Sequence, residues 1–210
     1  MRRGDSPVAE PLREWFARPT EQVARDLIGC ALAVDAGTSS AVIARIVETE
    51  AYLGTSDPAS HAFRGPTPRS RLMFGPAGHL YVYFTYGMHH CANVVTEVDG
   101  VAGAVLLRAA AVEGGEAAVM ARRGDGAAGA GLLRGPGNLC RGLGITRADN
   151  GIDLLEPASR VHIDRRESTP PIAIGTRVGL RQATDRLLRF SWLGDPAVSR
   201  PVPRDRGQTN

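Results

Sequence analysis

The feature that most constrains this chain is a pair of strand-like runs meeting at a tight turn. In His79-Leu80-Tyr81-Val82-Tyr83-Phe84 the residues Tyr81 and Tyr83 alternate with Leu80, Val82 and Phe84, and side chains two apart on an extended strand share a face. Tyr86-Gly87 reads as a hairpin tip and residues 88–96 as the return strand. One face of this hairpin carries aromatic hydroxyls and the other is purely apolar, so the apolar face needs a core beneath an antiparallel sheet. All 4 tyrosines fall within residues 47–108 of a chain that is only 5% aromatic. Ring surface has been gathered in one place.

The flanking sequence supplies the rest of an α+β domain. Thr20 follows Pro19 as an N-cap, Val23, Ala24, Leu27 and Ile28 share one helical face, and Gly29 closes the helix. Residues 30–34 read as a strand, 35–40 as a turn and 41–50 as the return strand. A period of two along that strand puts Ala44, Ile46, Glu48, Glu50 and Tyr52 on one face. Asp99-Gly100 is a turn signal leading into an apolar strand, residues 101–111, with Arg108 near its end. A helix over residues 116–123 follows, then Gly135-Pro136-Gly137 feeding a short helix whose N-terminal amides, with Arg134 and Arg141, suit a phosphate. Short strands are expected at 160–164, 176–180 and 188–193. One domain spans residues 12–195, between a frayed N-terminus (1–11) and a loosely ordered tail (196–210).

Chemistry narrows the function. The chain of 210 residues has net charge +3 and contains no lysine, so all 25 of its Lys+Arg residues are arginine. Basic balance favours a polyanionic partner, and no side-chain amine exists to form an imine. Cys30, Cys91 and Cys140 lie far apart, which argues against a disulfide framework or a thiolate zinc site. Twin arginines at the N-terminus lead into Glu10, Arg13 and Glu14 and no apolar run. A cytoplasmic protein without a membrane anchor is expected. The loop over residues 54–78 carries His61, Arg64, Arg69 and Arg71, either as a solvated basic loop or as an arm contacting phosphates. His61, His79, His89 and His90 with Glu48 or Glu50 offer a metallohydrolase alternative, but no HExxH occurs and adjacent strand residues point to opposite faces. A DNA-bending module without chemistry would look the same in composition.

Val47-Glu48-Thr49-Glu50-Ala51-Tyr52-Leu53-Gly54, the loop with His61, Leu80-Tyr81-Val82-Tyr83, Tyr86-Gly87-Met88, Asn93, Val105-Leu106-Leu107-Arg108 and Gly135-Pro136-Gly137 together resemble the 3-methyladenine (alkyladenine) DNA glycosylase family. The likeness runs in order over nearly the whole chain. It implies a single-domain fold with a curved, mostly antiparallel sheet, a protruding β-hairpin and surrounding helices. It also implies a monofunctional enzyme that flips a damaged purine out of double-stranded DNA and hydrolyses its N-glycosidic bond with no metal or cofactor; a monomer is the simplest expectation. On this resemblance Glu50 is the general base and Arg108 its support. Tyr52, His61 and Tyr83 wall the flipped base, and Asn93 guards against guanine's amine; Tyr81, from the strand alternation alone, is expected to be a structural sheet residue. Tyr86, with Met88, fills the vacated stack, while Arg64, Arg69, Arg71, Arg134 and Arg141 meet the DNA backbone. Asn138 stands where the family pattern leads one to expect a lysine.

Overall fold

A computed structural model of the protein describes residues 12–85, 87–124, 126–165 and 170–201. Helices α1 (Leu12–Phe16) and α2 (Thr20–Asp26) precede strands β1 (Ala31–Val34), β2 (Val42–Tyr52), β3 (Leu80–Thr85), β4 (His89–Val95) and β5 (Ala104–Gly114). Helices α3 (Glu116–Arg123) and α4 (Pro136–Leu143) follow, then β6 (Val161–Asp164), β7 (Ile172–Gly175) and β8 (Arg189–Trp192). Every strand pairing is antiparallel, in the order β3-β4-β5-β2-β1-β6 with β8 joining β2 to β7. The α+β class and the antiparallel sheet follow the expectation.

The long strand β2 is the hub. β5 runs along one edge of it, while the other edge is shared: β1 covers Val42 to Arg45 and β8 covers Glu48 to Glu50. Between the two partners the register slips. Ile46 faces Ala110, Glu48 faces Ala109 and Thr49 faces Leu107, which leaves Val47 and Arg108 outside the pairing. Such a bulge turns the strand and re-aims the side chains beyond it. Ala44 and Ile46 lie in the main core, but past the bulge it is Ala51 that joins that core and Thr49 that bonds to the Ala24 carbonyl of α2. Glu48, Glu50 and Tyr52 therefore occupy the face opposite to Ala44 and Ile46, which corrects the uniform period of two.

The main core collects Phe16, Leu27, Leu32, Ile46, Leu107, Leu139 and Phe190, all fully buried, between the sheet and helices α2 and α4. Each such side chain contributes about 1.5–3 kcal/mol by leaving water. Thr20 does not cap α2; Pro19 holds that position, and Glu97 accepts from both the Thr20 amide at 2.6 Å and its hydroxyl at 2.8 Å. The start of α2 is thus tied to the segment just after β4.

Two expected segments come out differently. Residues 176–180 form no strand but a loop running over the far face of β2. Residues 196–201 are not a loose tail: Ala197 and Val198 are buried against Val47 and Ala109, and the Ser199 amide donates to Glu48 Oε2 at 2.7 Å. No helix among the described residues is long and apolar enough to cross a membrane.

Candidate active site

Glu50 lies in the buried run Ile46 to Ala51 of β2, opposite Leu106 of β5 and Arg189 of β8. Its side chain has no exposed surface. Oε1 accepts from the Val178 amide at 2.7 Å and faces Arg108 Nη1 at 3.2 Å; Oε2 accepts from the Tyr52 hydroxyl at 2.9 Å. Burial raises the carboxyl above the ordinary glutamate range, against Arg108, the Val178 amide and the Tyr52 hydroxyl, each of which favours the charged form. Glu48 is fully buried as well, held by Arg108 Nε and Arg189 Nη1, both at 3.1 Å, and by the Ser199 amide. Arg108 therefore joins two carboxylates with one planar group, a task a point-charged ammonium performs poorly.

Tyr52, Arg108 and Val178, the three groups that hold Glu50, also line a cavity of about 370 Å³, the size of a small-molecule site. His61, Tyr81, Tyr83 and Asn93 complete its ring-bearing side. Glu50 sits directly behind Tyr52 and Arg108 and does not itself line the hollow. The hairpin β3–β4 supplies Tyr81, Tyr83 and Asn93 because alternate residues face one way: Tyr81 pairs with Asn93, and Tyr83 with Cys91. Asn93 is oriented by donating from Nδ2 to the Tyr81 carbonyl at 3.0 Å.

The His61 ring packs edge-on to Tyr83, centroids 4.6 Å apart, and its Nδ1 is 3.0 Å from the Tyr81 hydroxyl. Loss of water around the ring, with Arg69 nearby, lowers the imidazole to about 4, so it is neutral at physiological pH. Tyr81, expected to be only a sheet residue, is both: 2% exposed in a small core cluster, and a cavity wall bonded to His61.

The arginines separate into groups. Arg64, Arg69 and Arg71 are exposed on the loop beside His61, with the Arg69 guanidinium 5.1 Å over the Tyr83 ring. Arg134 is exposed and donates to the Pro196 carbonyl, bordering a second hollow formed with residues of β8 and the 193–201 segment. Arg141 lies apart, donating to the Arg122 carbonyl of α3 at 3.0 Å. Asn138 accepts from Arg123 and donates to the Arg134 carbonyl at 2.8 Å. Met88 is 68% exposed beside the hairpin tip, while Tyr86 lies outside the described residues. His79 Nδ1 lies 2.9 Å from the Pro76 carbonyl, and no three His, Cys, Asp or Glu among the described residues are grouped to hold a metal.

Sequence reasoning missed a buried ion pair. The side chains of Arg177 and Asp57 have no exposed surface and meet through both guanidinium nitrogens. Asp57 also accepts from the Leu53 and Ala59 amides, and the Arg177 guanidinium lies 4.7 Å over the Tyr52 ring. The pair fastens the 176–180 loop, with Val178, to the segment that leads to His61. Thr176, Val178 and Leu180 alternate as a strand would, which hid the loop. Nothing local marks Arg177 as buried.

A buried carboxylate behind a ring-walled hollow is an arrangement suited to hydrolysis, and the family that the sequence matches sets the class: the hydrolases that cut N-glycosyl bonds. The chain belongs to the methylpurine-DNA glycosylase family, which it matches over residues 14–196. It is 50% identical over 181 residues to a relative from Mycobacterium sp. (strain KMS), covering 84% of this chain and 86% of that one. A Corynebacterium glutamicum relative is 44% identical over 184 residues (88% and 94% covered), and one from Rhodopseudomonas palustris 45% identical over 203 residues (96% and 94%). All three are provisionally named 3-methyladenine DNA glycosylases. DNA is accordingly the substrate of this enzyme.

Proposed function

We propose that the enzyme acts as an intracellular monomer on duplex DNA, everts an alkylated or deaminated purine into the hollow between Tyr52, His61 and Tyr83, and hydrolyses its bond to the sugar. The observation that carries this reading is the bonding of Glu50: Oε1 is occupied twice, by the Val178 amide and Arg108, whereas Oε2 accepts from Tyr52 alone. A carboxylate oxygen has two acceptor sites, so Oε2 keeps one for a water aimed at C1′. Tyr52 closes over that oxygen and is the side chain that must turn for water to enter. Eversion costs a few kcal/mol and is cheapest where pairing is already damaged. Asn93, pinned to the Tyr81 carbonyl on the cavity wall, is the guard against a guanine amine in this reading. Met88, exposed beside the hairpin tip, suits the vacated stack together with Tyr86, its near neighbour in sequence, and Arg64, Arg71 and Arg134 suit the phosphates.

The test is incubation of the purified protein with duplexes that each carry one defined lesion, followed by alkaline cleavage at abasic sites. Strand breaks at the lesion alone are expected. Intact strands for every alkylated and deaminated purine would end the reading.

A further inference from the structure

The buried arginines around the pocket are all neutralised: Arg108 by Glu48 and Glu50, Arg177 by Asp57, Arg189 by Glu48. Arg69, exposed on the loop beside His61, differs from them: no carboxylate is paired to it among the described residues. Its loop is held in place, since the buried Ser70 hydroxyl donates to the Gly65 carbonyl at 3.1 Å and accepts from the Thr67 amide at 3.0 Å. From there the guanidinium lies 5.1 Å over the Tyr83 ring, and its charge favours the ionised form of the neighbouring Tyr81 hydroxyl. Tyr83 and Tyr81 line the cavity and Arg69 does not. An unbalanced positive charge therefore stands behind the ring wall. Arg177 takes the corresponding place against Tyr52, although its charge is balanced by Asp57.

A tyrosine face attracts a cation through its ring quadrupole. A guanidinium already over the ring draws that electron density to itself and repels a second cation across it. Base release divides the substrates by charge. In both cases the bonding electron pair goes to the purine, water adds its oxygen to C1′, and the water proton goes to Glu50. A cationic alkylpurine thereby leaves neutral, whereas a neutral purine leaves as an anion that takes a proton from solvent. A fixed positive charge behind the wall stabilises the second transition state and not the first.

We propose that Arg69 is a specificity-determining residue that biases the pocket toward purines neutral before cleavage and anionic as they leave. This rests on the glycosylase reading above. The test compares single-turnover release of hypoxanthine (neutral) and 3-methyladenine (cationic) from otherwise identical duplexes, at saturating enzyme, by wild type, Arg69→Gln and Arg69→Lys. Arg69 is exposed, so both variants should fold. Arg69→Gln is expected to lower the hypoxanthine to 3-methyladenine rate ratio by roughly three- to tenfold, and Arg69→Lys to restore most of it. An unchanged ratio would overturn the proposal, whether both rates are untouched or both fall together with a flatter salt dependence, the mark of a phosphate contact. If wild type releases neither base, the glycosylase reading itself has failed and the proposal falls with it.

Discussion

The Arg108 guanidinium stands 3.2 Å from the Glu50 carboxylate while its Nε holds Glu48 at 3.1 Å, so one side chain bridges two fully buried acids and fixes both in place. Arg108 is also one of the residues left out of the β2–β5 register. The same slip that breaks the ladder turns this arginine toward both acids.

Removing the guanidinium should be expensive. Arg108→Met leaves Glu50 without a cation and Glu48 with Arg189 alone, and breaking a buried pair from one side costs about 3–5 kcal/mol. Urea unfolding should show that loss as a lower midpoint at unchanged slope. A loss under about 1 kcal/mol, the range of exposed ion pairs, would mean that solvent reaches the cluster.

Burial of Glu50 fixes the sign of two pH effects. Its carboxyl is raised, and the base must be ionised, so base release should fall away on acidification at a pH above the ordinary glutamate range, near 4.3. A raised acid is most stabilising when protonated: its contribution is present below the unfolded-state value and lost as pH rises through the folded value. Glu50→Gln should therefore be at least as stable as wild type at pH 8, with the difference shrinking toward acid. A Gln variant clearly less stable at pH 8 would contradict the desolvation argument. His61 runs the other way: lowered to about 4, it contributes stability that is complete above about 6.5 and is lost as pH falls through 4.

Gly54, two residues past Tyr52, has φ +60°, and a Cβ there would lie 2.0 Å from the Ala102 carbonyl oxygen. Gly54→Ala must move backbone and with it the Leu53 amide that Asp57 accepts. A loss of about 2–4 kcal/mol is expected. Gly37→Ala, at φ +81° with nothing within 4 Å, should lose about 1 kcal/mol from conformational strain alone. Equal losses measured by denaturation would show that the close approach to Ala102 does not matter.

How much of this was legible follows from the range of the forces involved. The hairpin of β3 and β4 was readable because a period of two and a glycine turn are local signals, and Tyr83 and Asn93 came with it. Glu50 and Tyr52 were legible as neighbours on one strand. The β2 bulge was not, because Val47 and Glu48 look alike to any alternation whether the strand slips or not; pairing with β5 decides it. Arg177 and Asp57 find each other across 120 residues, a separation on which local pattern is silent. Tyr81 was half-read: its burial is a strand property, but its bond to His61 depends on how a long loop folds back. Residues 196–201 read as a tail because Pro and Arg surround Ala197 and Val198, and only the acid at Glu48 explains why the Ser199 amide stays.

The most direct test of the account is single-turnover base release by Glu50→Gln on a duplex with one lesion that wild type processes, with lesion binding measured alongside. The account predicts wild-type-like binding and release slowed by a factor on the order of 100 or more. Release at the wild-type rate would contradict it, because a side chain that cannot take a proton from water would then be doing as well as one that can.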